Sequence, residues 1–367
     1  MSKDKNENTV NETNSWFQYV KSSLSGLAIG GVFGYALQRS HVYLPVVIQA
    51  QMNFTNFTML KMFMTAAATS SLSITLLQGS KLIELEHLPV MWRRNLIGGL
   101  LMGASIYILG SCPGTVLAQI GSGIKPAYFI FLGGLVGSAL YGFTNEWVSK
   151  YLPTYPKEKP AIYQRLQVPL YKLTIPFALM IAGVLYAIEQ VFPWTLDSGV
   201  APFVTVLGSI SQKVWAPYVA GAVIGSLQLP SYLLANNGIG TSSAYVTMSS
   251  KICSLLAPAT TCSVSYFKKF NSGLKQVFTP MVNLGIVLGS YYSSLTSPAL
   301  AIDQQFHHSP LFYIASGAML LYSSRMANGC PSGSGITGMA KMEIGSFITI
   351  ASLFAGGIAS SLLSSYL

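Results

Sequence analysis

Charged side chains are scarce in this chain: Asp, Glu, Lys and Arg make up 9% of its 367 residues, and its mean hydropathy is +0.49. A soluble domain carries about 25% charged residues, so this composition excludes a water-facing globule and predicts a polytopic membrane protein. Aromatic residues reach 12%, there are 34 glycines, and the apolar runs have membrane length. We therefore expect an all-α bundle rather than an outer-membrane barrel, whose segments alternate in polarity over about ten residues.

Cysteine and histidine are also scarce, with four of each. The cysteines form no Cys-x-x-Cys pair, so we expect no disulfide framework, no metal site and no cofactor. Residues 1–23 lack the apolar core of a signal peptide and are predicted to form a disordered polar tail. The histidines fall in predicted loops, where we expect them to be solvated: His41, His87, His307 and His308.

Apolar runs bounded by charge, Pro or Asn/Gly clusters predict nine membrane spans. They run roughly from Leu24 to Leu37, Thr58 to Leu77, Asn95 to Ser111, Ala127 to Phe143, Leu170 to Phe192, Trp215 to Ala235, Val277 to Leu300, Leu311 to Asn328 and Ser346 to Tyr366. The nine spans divide into a first membrane repeat of four (24–168), a central linking helix (169–193) and a second repeat of four (194–367). The single central span would invert the second four-helix repeat relative to the first.

Three other stretches are too short or too rich in Gly and Ser to span a membrane: Thr115 to Gly121, Gly240 to Ala257 and Ser332 to Met342. Irregular backbone at membrane depth is tolerated where it is buried in protein or lines a cavity. We predict that these stretches are short re-entrant helices around a site. Glycines within spans are instead expected at close helix contacts, as at Gly98, Gly99, Gly103, Gly133, Gly134 and Gly137.

The basic residues predict the orientation of the spans. Nine spans with the N-terminus inside place 17 Lys and Arg residues on the inner side and four on the outer side, namely Arg39, Lys61, Lys125 and Lys213. An inner excess of this kind is typical of membrane proteins. We expect a multi-pass protein of the cell membrane with its C-terminus outside. No basic-aromatic array indicates a nucleic-acid partner.

Two of the four cysteines are followed by proline, in Gly110-Ser111-Cys112-Pro113-Gly114 and Asn328-Gly329-Cys330-Pro331-Ser332-Gly333. Proline suits the first position of a helix, which makes the preceding Cys its cap. In an inverted repeat, two such elements enter from opposite faces and can meet at a transport site. We therefore predict that Cys112 and Cys330 lie at the mouths of two short helices in a common site.

Helix N-termini favour an anion because their amide hydrogens are unpaired. Glycines allow close approach of the backbone, and Ser and Thr add hydroxyl donors. The predicted binding residues are Cys112, Pro113, Gly114, Thr115, Cys330, Pro331, Ser332, Gly333, Ser334 and Thr337. Lesser candidates are Ser242, Ser243 and the cysteines Cys253 and Cys262, for which a packing role is the main expectation. Lys341 and Glu343 form either an interfacial pair or part of a vestibule.

Four stretches together resemble the YeeE/YedE sulfur-transport family: residues 34–40 (GYALQRS), 110–115 (GSCPGT), 240–245 (GTSSAY) and 328–335 (NGCPSGSG). The resemblance extends from about Gly26 to Gly357. It implies an inverted-repeat membrane fold that carries thiosulfate inward past central thiols, here Cys112 and Cys330. The family pattern often has a further Cys three residues after the Leu-Gln-Arg-Ser stretch, where this chain has Tyr43.

The predicted function is therefore uptake of a small sulfur-containing anion, most simply thiosulfate, and not catalysis. Helix N-termini and hydroxyls would hold its oxygens while a neutral thiol meets its soft sulfur. A sulfurtransferase is a candidate partner. Two alternatives stay open: a channel for another small anion or a neutral solute, and an integral-membrane thiol oxidoreductase.

Overall fold

The computed structural model describes residues 3–154, 159–202, 204–256, 264–296 and 308–366, with side chains from Trp16 onward. Within these ranges the regular structure is helical and no β-strand is found. The first half contains α1 (Lys3–Arg39), α2 (Pro45–Met52), α3 (Thr58–Gly79), α4 (Trp92–Leu109), α5 (Pro113–Gly121), α6 (Pro126–Tyr151) and α7 (Ile162–Leu166). The remainder contains α8 (Tyr171–Val191), α9 (Trp194–Ser198), α10 (Pro217–Ser226), α11 (Gln228–Ala235), α12 (Ser242–Leu256), α13 (Ser265–Asn271), α14 (Lys275–Thr296), α15 (Pro310–Met326), a π-helix (Pro331–Gly338) and α16 (Ile344–Tyr366), with a 3₁₀ turn at Gly208–Ser211.

Six helical segments of the described chain are long and apolar enough to cross a membrane. They are Thr58–Gly79, Trp92–Gly121, Pro126–Tyr151, Tyr171–Val191, Pro217–Ala235 and Ile344–Tyr366. An all-helical, multi-pass membrane protein is therefore confirmed. The other three predicted spans correspond to α1, α14 and α15, which are helical but do not meet the same criteria; α15, for example, has only 17 residues.

The first helix begins earlier than the sequence predicts. No proline interrupts the chain between Lys3 and Arg39, and α1 continues through the polar segment for which disorder is expected. Two of the predicted short stretches also begin earlier as helices, at Pro113 and Pro331, because each proline occupies the first helical position. The third predicted short stretch, Gly240 to Ala257, contains α12, a helix of 15 residues.

The long helices pack in four pairs, and each pair joins a helix that precedes α8 to one that follows it. The pairs are α1 with α14, α3 with α10, α4 with α16, and α6 with α15. Glycines allow this close packing: a Cβ on Gly34 would overlap the backbone of Ile286, and one on Gly103 would overlap the carbonyl of Leu353. The same holds for the other predicted contact glycines, Gly98, Gly99, Gly133, Gly134 and Gly137, so their packing role is confirmed.

An ionic cluster around the buried Lys61 connects α8 and α9 to α3. The Lys61 side chain is fully buried, and its Nζ lies 3.1 Å from carboxylate oxygens of both Glu189 and Asp197 and donates to the carbonyl of Phe192. Thr75 and Thr174 add a hydroxyl contact of 2.7 Å between α3 and α8. The prediction of Lys61 as a scattered outer charge missed this burial, because its partners lie more than a hundred residues away in the chain.

Candidate functional site

The first Cys-Pro element forms the beginning of α5. Gly110 ends α4 in a left-handed conformation (φ 57°), and Cys112 then caps α5 with Pro113 at the first helical turn. The backbone amide of Thr115 donates to Cys112 Sγ over 3.4 Å, and the amide of Cys112 donates to Thr115 Oγ1 over 2.7 Å. This reciprocal arrangement is a capping box with sulfur as one acceptor. The predicted cap role of Cys112 is confirmed.

The second Cys-Pro element has cysteine at the same cap position, but its side chain makes no capping hydrogen bond and its helix is of a different kind. Cys330 is fully buried and precedes the π-helix Pro331–Gly338, with proline again in the first turn. Its sulfur lies 3.1 Å from Ser332 Oγ and 3.4 Å from Thr241 Oγ1. Cys330 occupies the predicted cap position without a side-chain capping hydrogen bond, and the wider π turn was not predicted. Single π turns are frequently found at functional sites.

Thr241 connects the two elements, although it is not among the predicted binding residues. Its hydroxyl lies 3.3 Å from Ser332 Oγ as well as near Cys330. On its other side, a Cβ placed on Gly114 would lie 3.5 Å from Thr241 Cγ2. The available signal was its position directly before the first residue of α12, where threonine is a favoured cap.

The two elements line one small buried cavity of about 40 Å³. From the predicted site it contains Cys112, Gly114, Thr115, Pro331 and Ser332. The rest of its wall is apolar and consists of Phe33, Leu37, Val42, Met59, Met62, Phe63 and Ile336. Residues 112–115 and 331–332 are thus in one place although more than 200 positions separate them. The cavity offers thiol and hydroxyl groups within an apolar enclosure.

A larger cavity of about 340 Å³, which we call the vestibule, lies on the other side of the π-helix. Gly333, Thr337, Ser242 and Ser243 of the predicted site line it. Its charged lining residues are Glu84, Glu86, Lys275, Arg325, Lys341 and Glu343. The vestibule is therefore polar where the small cavity is apolar.

Two glycines bring the vestibule close to the second thiol. A Cβ on Gly240 would lie 3.5 Å from the Cα of Gly333, so the start of α12 and the π-helix are in close contact. A Cβ on Gly333 would lie 3.8 Å from Cys330 Sγ. Because Gly333 also lines the vestibule, the sulfur of Cys330 lies close to the wall of this cavity.

Buried hydrogen bonds hold the first Cys-Pro element and the start of α12 in position. Tyr245 Oη donates to the Pro113 carbonyl over 2.9 Å. Gln119 Nε2 donates to the carbonyls of Tyr43 (2.8 Å) and Gly110 (3.1 Å). Asn283 Nδ2 donates to the Thr241 carbonyl over 3.2 Å. These buried amide and phenol groups fix the irregular backbone around Cys112 and at the start of α12.

Lys341 and Glu343 form an ion pair of 2.6 Å and also line the vestibule, so both predicted alternatives apply to them. His87 Nδ1 lies 3.4 Å from the same carboxylate, and the Leu88 amide donates to it over 3.3 Å. Burial alone would raise the pKa of Glu343, but the adjacent His87 side chain and the charge of Lys341 hold this pKa below its ordinary value.

The prediction of solvated histidines is wrong at two positions. His41 is 8% exposed, and the His87 side chain is 4% exposed because it packs against Tyr163 and Glu343. His308 is exposed as expected, and His307 lies outside the described residues.

Some predicted residues line neither cavity, among them Pro113 and Cys330. Ser334 lines a separate cleft of about 10 Å³. Thr337 lines the vestibule, but its hydroxyl is already engaged by Gln228 (2.7 Å) and the Ile239 carbonyl (2.7 Å). Cys253 is half-buried further along α12 and lines neither cavity. Cys262 lies outside the described residues. Among the residues that the structure describes, no group of three His, Cys, Asp or Glu side chains is arranged for a metal ion.

The fold and the site define a multi-pass helical membrane protein with two buried thiols at helix N-termini. A family model described as "Sulphur transport" matches residues 39–359. This match covers most of the chain, which therefore belongs to the sulfur-transport (YeeE/YedE) family.

Two relatives are similar over long stretches. The thiosulfate transporter TsuA of Escherichia coli is 22% identical over 342 residues, which cover 91% of this chain and 92% of the relative. The thiosulfate transporter TsuA of Spirochaeta thermophila is 24% identical over 233 residues, or 58% of this chain and 71% of the relative. Both relatives are named as transporters.

Proposed function

We propose that this protein transports thiosulfate across the cell membrane, inward, through a route that passes Cys112 and Cys330. The observation that carries the proposal is the single cavity lined by both Cys-Pro elements, with the vestibule next to the second thiol. The family membership and the two relatives named thiosulfate transporters support this substrate.

An inverted repeat with nine spans would produce such a site. The helix pairs support it, because exchanging α1, α3, α4 and α6 with α10, α14, α15 and α16 turns each pair into another pair of the set. The pair α1–α14 becomes α10–α3, and α4–α16 becomes α15–α6. The short helices follow the same exchange, because α5 packs on α14 and the π-helix packs on α3. The helix α8 then stands alone as the central linker.

The charge distribution supports an orientation with the vestibule inside. Lys275, Arg325 and Lys341 line the vestibule, and all three belong to the 17 basic residues of the predicted inner side. The Cys112 element then enters from the outer side, and apolar residues such as Phe33 and Met59 cover the small cavity there. The protein is proposed to have its N-terminus inside and its C-terminus outside.

The chemistry of the cavity suits a soft sulfur better than an oxyanion surrounded by water. A neutral thiol is a weak hydrogen-bond donor and a poor replacement for the hydration of an oxygen. The hydroxyls of Thr115, Ser332 and Thr241 surround the two sulfurs and can reach the oxygens of a bound anion. The cavity is smaller than its cargo, so passage requires local widening of the short helices.

The alternatives differ from this proposal in what they require. A thiol oxidoreductase needs two cysteines that form a disulfide, whereas the Cys112 sulfur caps α5 and the Cys330 sulfur contacts the hydroxyls of Thr241 and Ser332. A channel for another small anion would use the same route. Only its selectivity among anions would distinguish it from a thiosulfate transporter. A sulfurtransferase on the inner side stays a proposed partner.

The test is uptake of radiolabelled thiosulfate into liposomes that contain the purified protein. We expect uptake above that of empty liposomes, with strong competition by unlabelled thiosulfate and weak competition by sulfate and sulfite. Equal competition by all three anions would favour a general anion channel. No uptake above the empty liposomes would contradict the proposal.

A further inference from the structure

Arg325 is a buried cation in the floor of the vestibule with no carboxylate partner among the described residues. It lies in the last turn of α15 and is 6% exposed. Its Nε donates to Tyr266 Oη over 3.0 Å and its Nη1 donates to Ser242 Oγ over 3.3 Å, and its guanidinium lies 5.4 Å from the Phe270 ring centroid. All three contacts are with neutral groups.

The other cations of the vestibule are neutralised. Lys275 pairs with Glu86 at 2.7 Å, and Lys341 pairs with Glu343 at 2.6 Å. The remaining carboxylate, Glu84, is exposed. The positive charge of Arg325 therefore stays uncompensated at the buried end of the cavity. A buried charge without a counter-charge is costly, which indicates that an anion offsets this cost when one is present.

The start of α12 adds a second feature that favours an anion. Ser242 is the first residue of this 15-residue helix, and its hydroxyl accepts from Arg325. A helix N-terminus carries a partial positive charge and unpaired amide hydrogens. The guanidinium and the helix N-terminus thus meet at Ser242 at the edge of an open cavity, and Ser243 and Asn328 supply further polar lining.

This position lies directly beside the second thiol. Thr241 contacts Cys330 and its neighbour Ser242 contacts Arg325, so adjacent residues connect the two. We propose that Arg325 and the N-terminus of α12 form a binding site for a tetrahedral oxyanion, where the cargo rests between Cys330 and the inner solution. The transport role of this site rests on the proposed function, whereas its affinity for an oxyanion does not.

A guanidinium recognises the oxygens of an anion and not its terminal sulfur. The site should therefore bind sulfate as well as thiosulfate, unlike the cysteine cavity. This difference allows the site to be tested without transport, with sulfate as the probe.

The experiment measures equilibrium binding of radiolabelled sulfate to the purified full-length protein in detergent. We expect Arg325→Gln to weaken sulfate binding about tenfold or more, the size of a lost charge-assisted hydrogen bond. Arg325→Lys should keep part of the affinity, because it retains the charge but loses the planar fork. Lys275→Gln is the matched control, since it removes a vestibule cation that is already paired, and it should bind sulfate like the wild type.

Two results would overturn the inference: unchanged sulfate affinity in Arg325→Gln, or equal losses in Arg325→Gln and Lys275→Gln. The first would leave Arg325 a packing residue held by Tyr266 and Phe270, and the second would mean that only the summed charge of the vestibule matters. If Arg325→Gln does not fold, Arg325→Lys provides the test. Wild-type sulfate affinity in Arg325→Lys at every salt concentration would overturn the inference that the guanidinium itself recognises the oxyanion. Sulfate binding without thiosulfate uptake in the wild type would contradict the proposed function alone.

Discussion

The hydroxyl of Thr241 lies 3.4 Å from the sulfur of Cys330, although 89 residues separate the two in the chain. The same hydroxyl lies 3.3 Å from Ser332 Oγ, and the Thr241 methyl faces Gly114 of the other Cys-Pro element. Thr241 is thus the side chain that both halves of the site share. The start of α12 consequently forms part of the proposed site together with the two Cys-Pro elements.

We predict that Thr241→Val lowers thiosulfate uptake about fivefold, because valine keeps the shape and removes one hydrogen bond worth about 1 kcal/mol. Thr241→Ser retains the hydroxyl and should keep most of the activity. Initial uptake rates in liposomes measure both variants. Equal rates for Thr241→Val and the wild type would exclude a role for this hydroxyl.

A second prediction concerns the thiols. Cys112→Ala and Cys330→Ala should each reduce uptake strongly with little effect on expression, because a smaller apolar side chain fits the same space. Cys253→Ala should have a lesser effect, since this half-buried side chain lies further along α12 and belongs to neither Cys-Pro element, and we expect the same of Cys262→Ala. Similar uptake in all four variants would show that the assigned cavity is not the route.

The cysteine caps could be predicted from sequence because they obey a local rule: proline fixes the first turn of a helix, and the residue before it becomes the cap. The role of Thr241 could not, because it depends on close contact between Gly240 and Gly333 in different helices. The buried Lys61 was missed for the same kind of reason. Its carboxylate partners lie on and after α8, and nothing adjacent in the chain indicates them.

The histidine errors have a similar cause. A loop position predicts solvent contact, yet the loop that holds His87 folds back on Glu343, and 255 residues separate Leu88 from this carboxylate. By contrast, the glycine contacts were predictable, since Gly within an apolar span has few other uses. Local rules thus identified the elements, whereas long-range packing determined their partners.

The third prediction tests the buried ion pair of Lys341 and Glu343. Glu343→Gln leaves the Lys341 ammonium without its counter-charge and should destabilise the protein by about 3 kcal/mol. Lys275→Gln breaks a pair whose side chains are 44% and 83% exposed, so it should cost less than about 1 kcal/mol. Thermal unfolding of the detergent-solubilised variants compares the two, and equal effects would contradict the distinction.

The lowered pKa of Glu343 predicts that the stability of the protein depends on pH. The pKa of Glu343 is lowered in the folded protein, so its stabilising contribution is present above the ordinary carboxyl pKa of about 4.3 and is lost as the pH falls through the lower folded value. Between pH 7 and about 5 this group should therefore leave stability unchanged. Below about pH 4, the wild type should lose a stabilisation that Glu343→Gln lacks at every pH.

A fourth prediction follows from the distribution of basic residues. Single cysteines introduced at Lys159 and Lys268 should react with a membrane-impermeant maleimide only from inside, and a tag fused after the last residue should be accessible only from outside. A cysteine-depleted background is needed because Cys253 is half-buried. Labelling of Lys268→Cys and the C-terminal tag from the same face would exclude the proposed orientation.

The fifth prediction concerns what separates thiosulfate from sulfate. Both are tetrahedral dianions, so helix N-termini and the hydroxyls of Thr115 and Ser332 should bind their oxygens alike. Discrimination must then come from the soft terminal sulfur at Cys112 or Cys330, where sulfate would place a strongly hydrated oxygen against a weak donor.

Specificity for thiosulfate is the difference between the affinities for thiosulfate and for sulfate. A hydroxyl in place of the thiol should therefore reduce this difference even where transport survives. We expect Cys112→Ser and Cys330→Ser to lower thiosulfate uptake and to increase competition by sulfate. The matched alanine variants should lower uptake without this gain in sulfate competition, because alanine supplies no donor for the extra oxygen. If sulfate competes equally with the wild type and with both serine variants, the cysteines do not recognise the sulfur of the substrate.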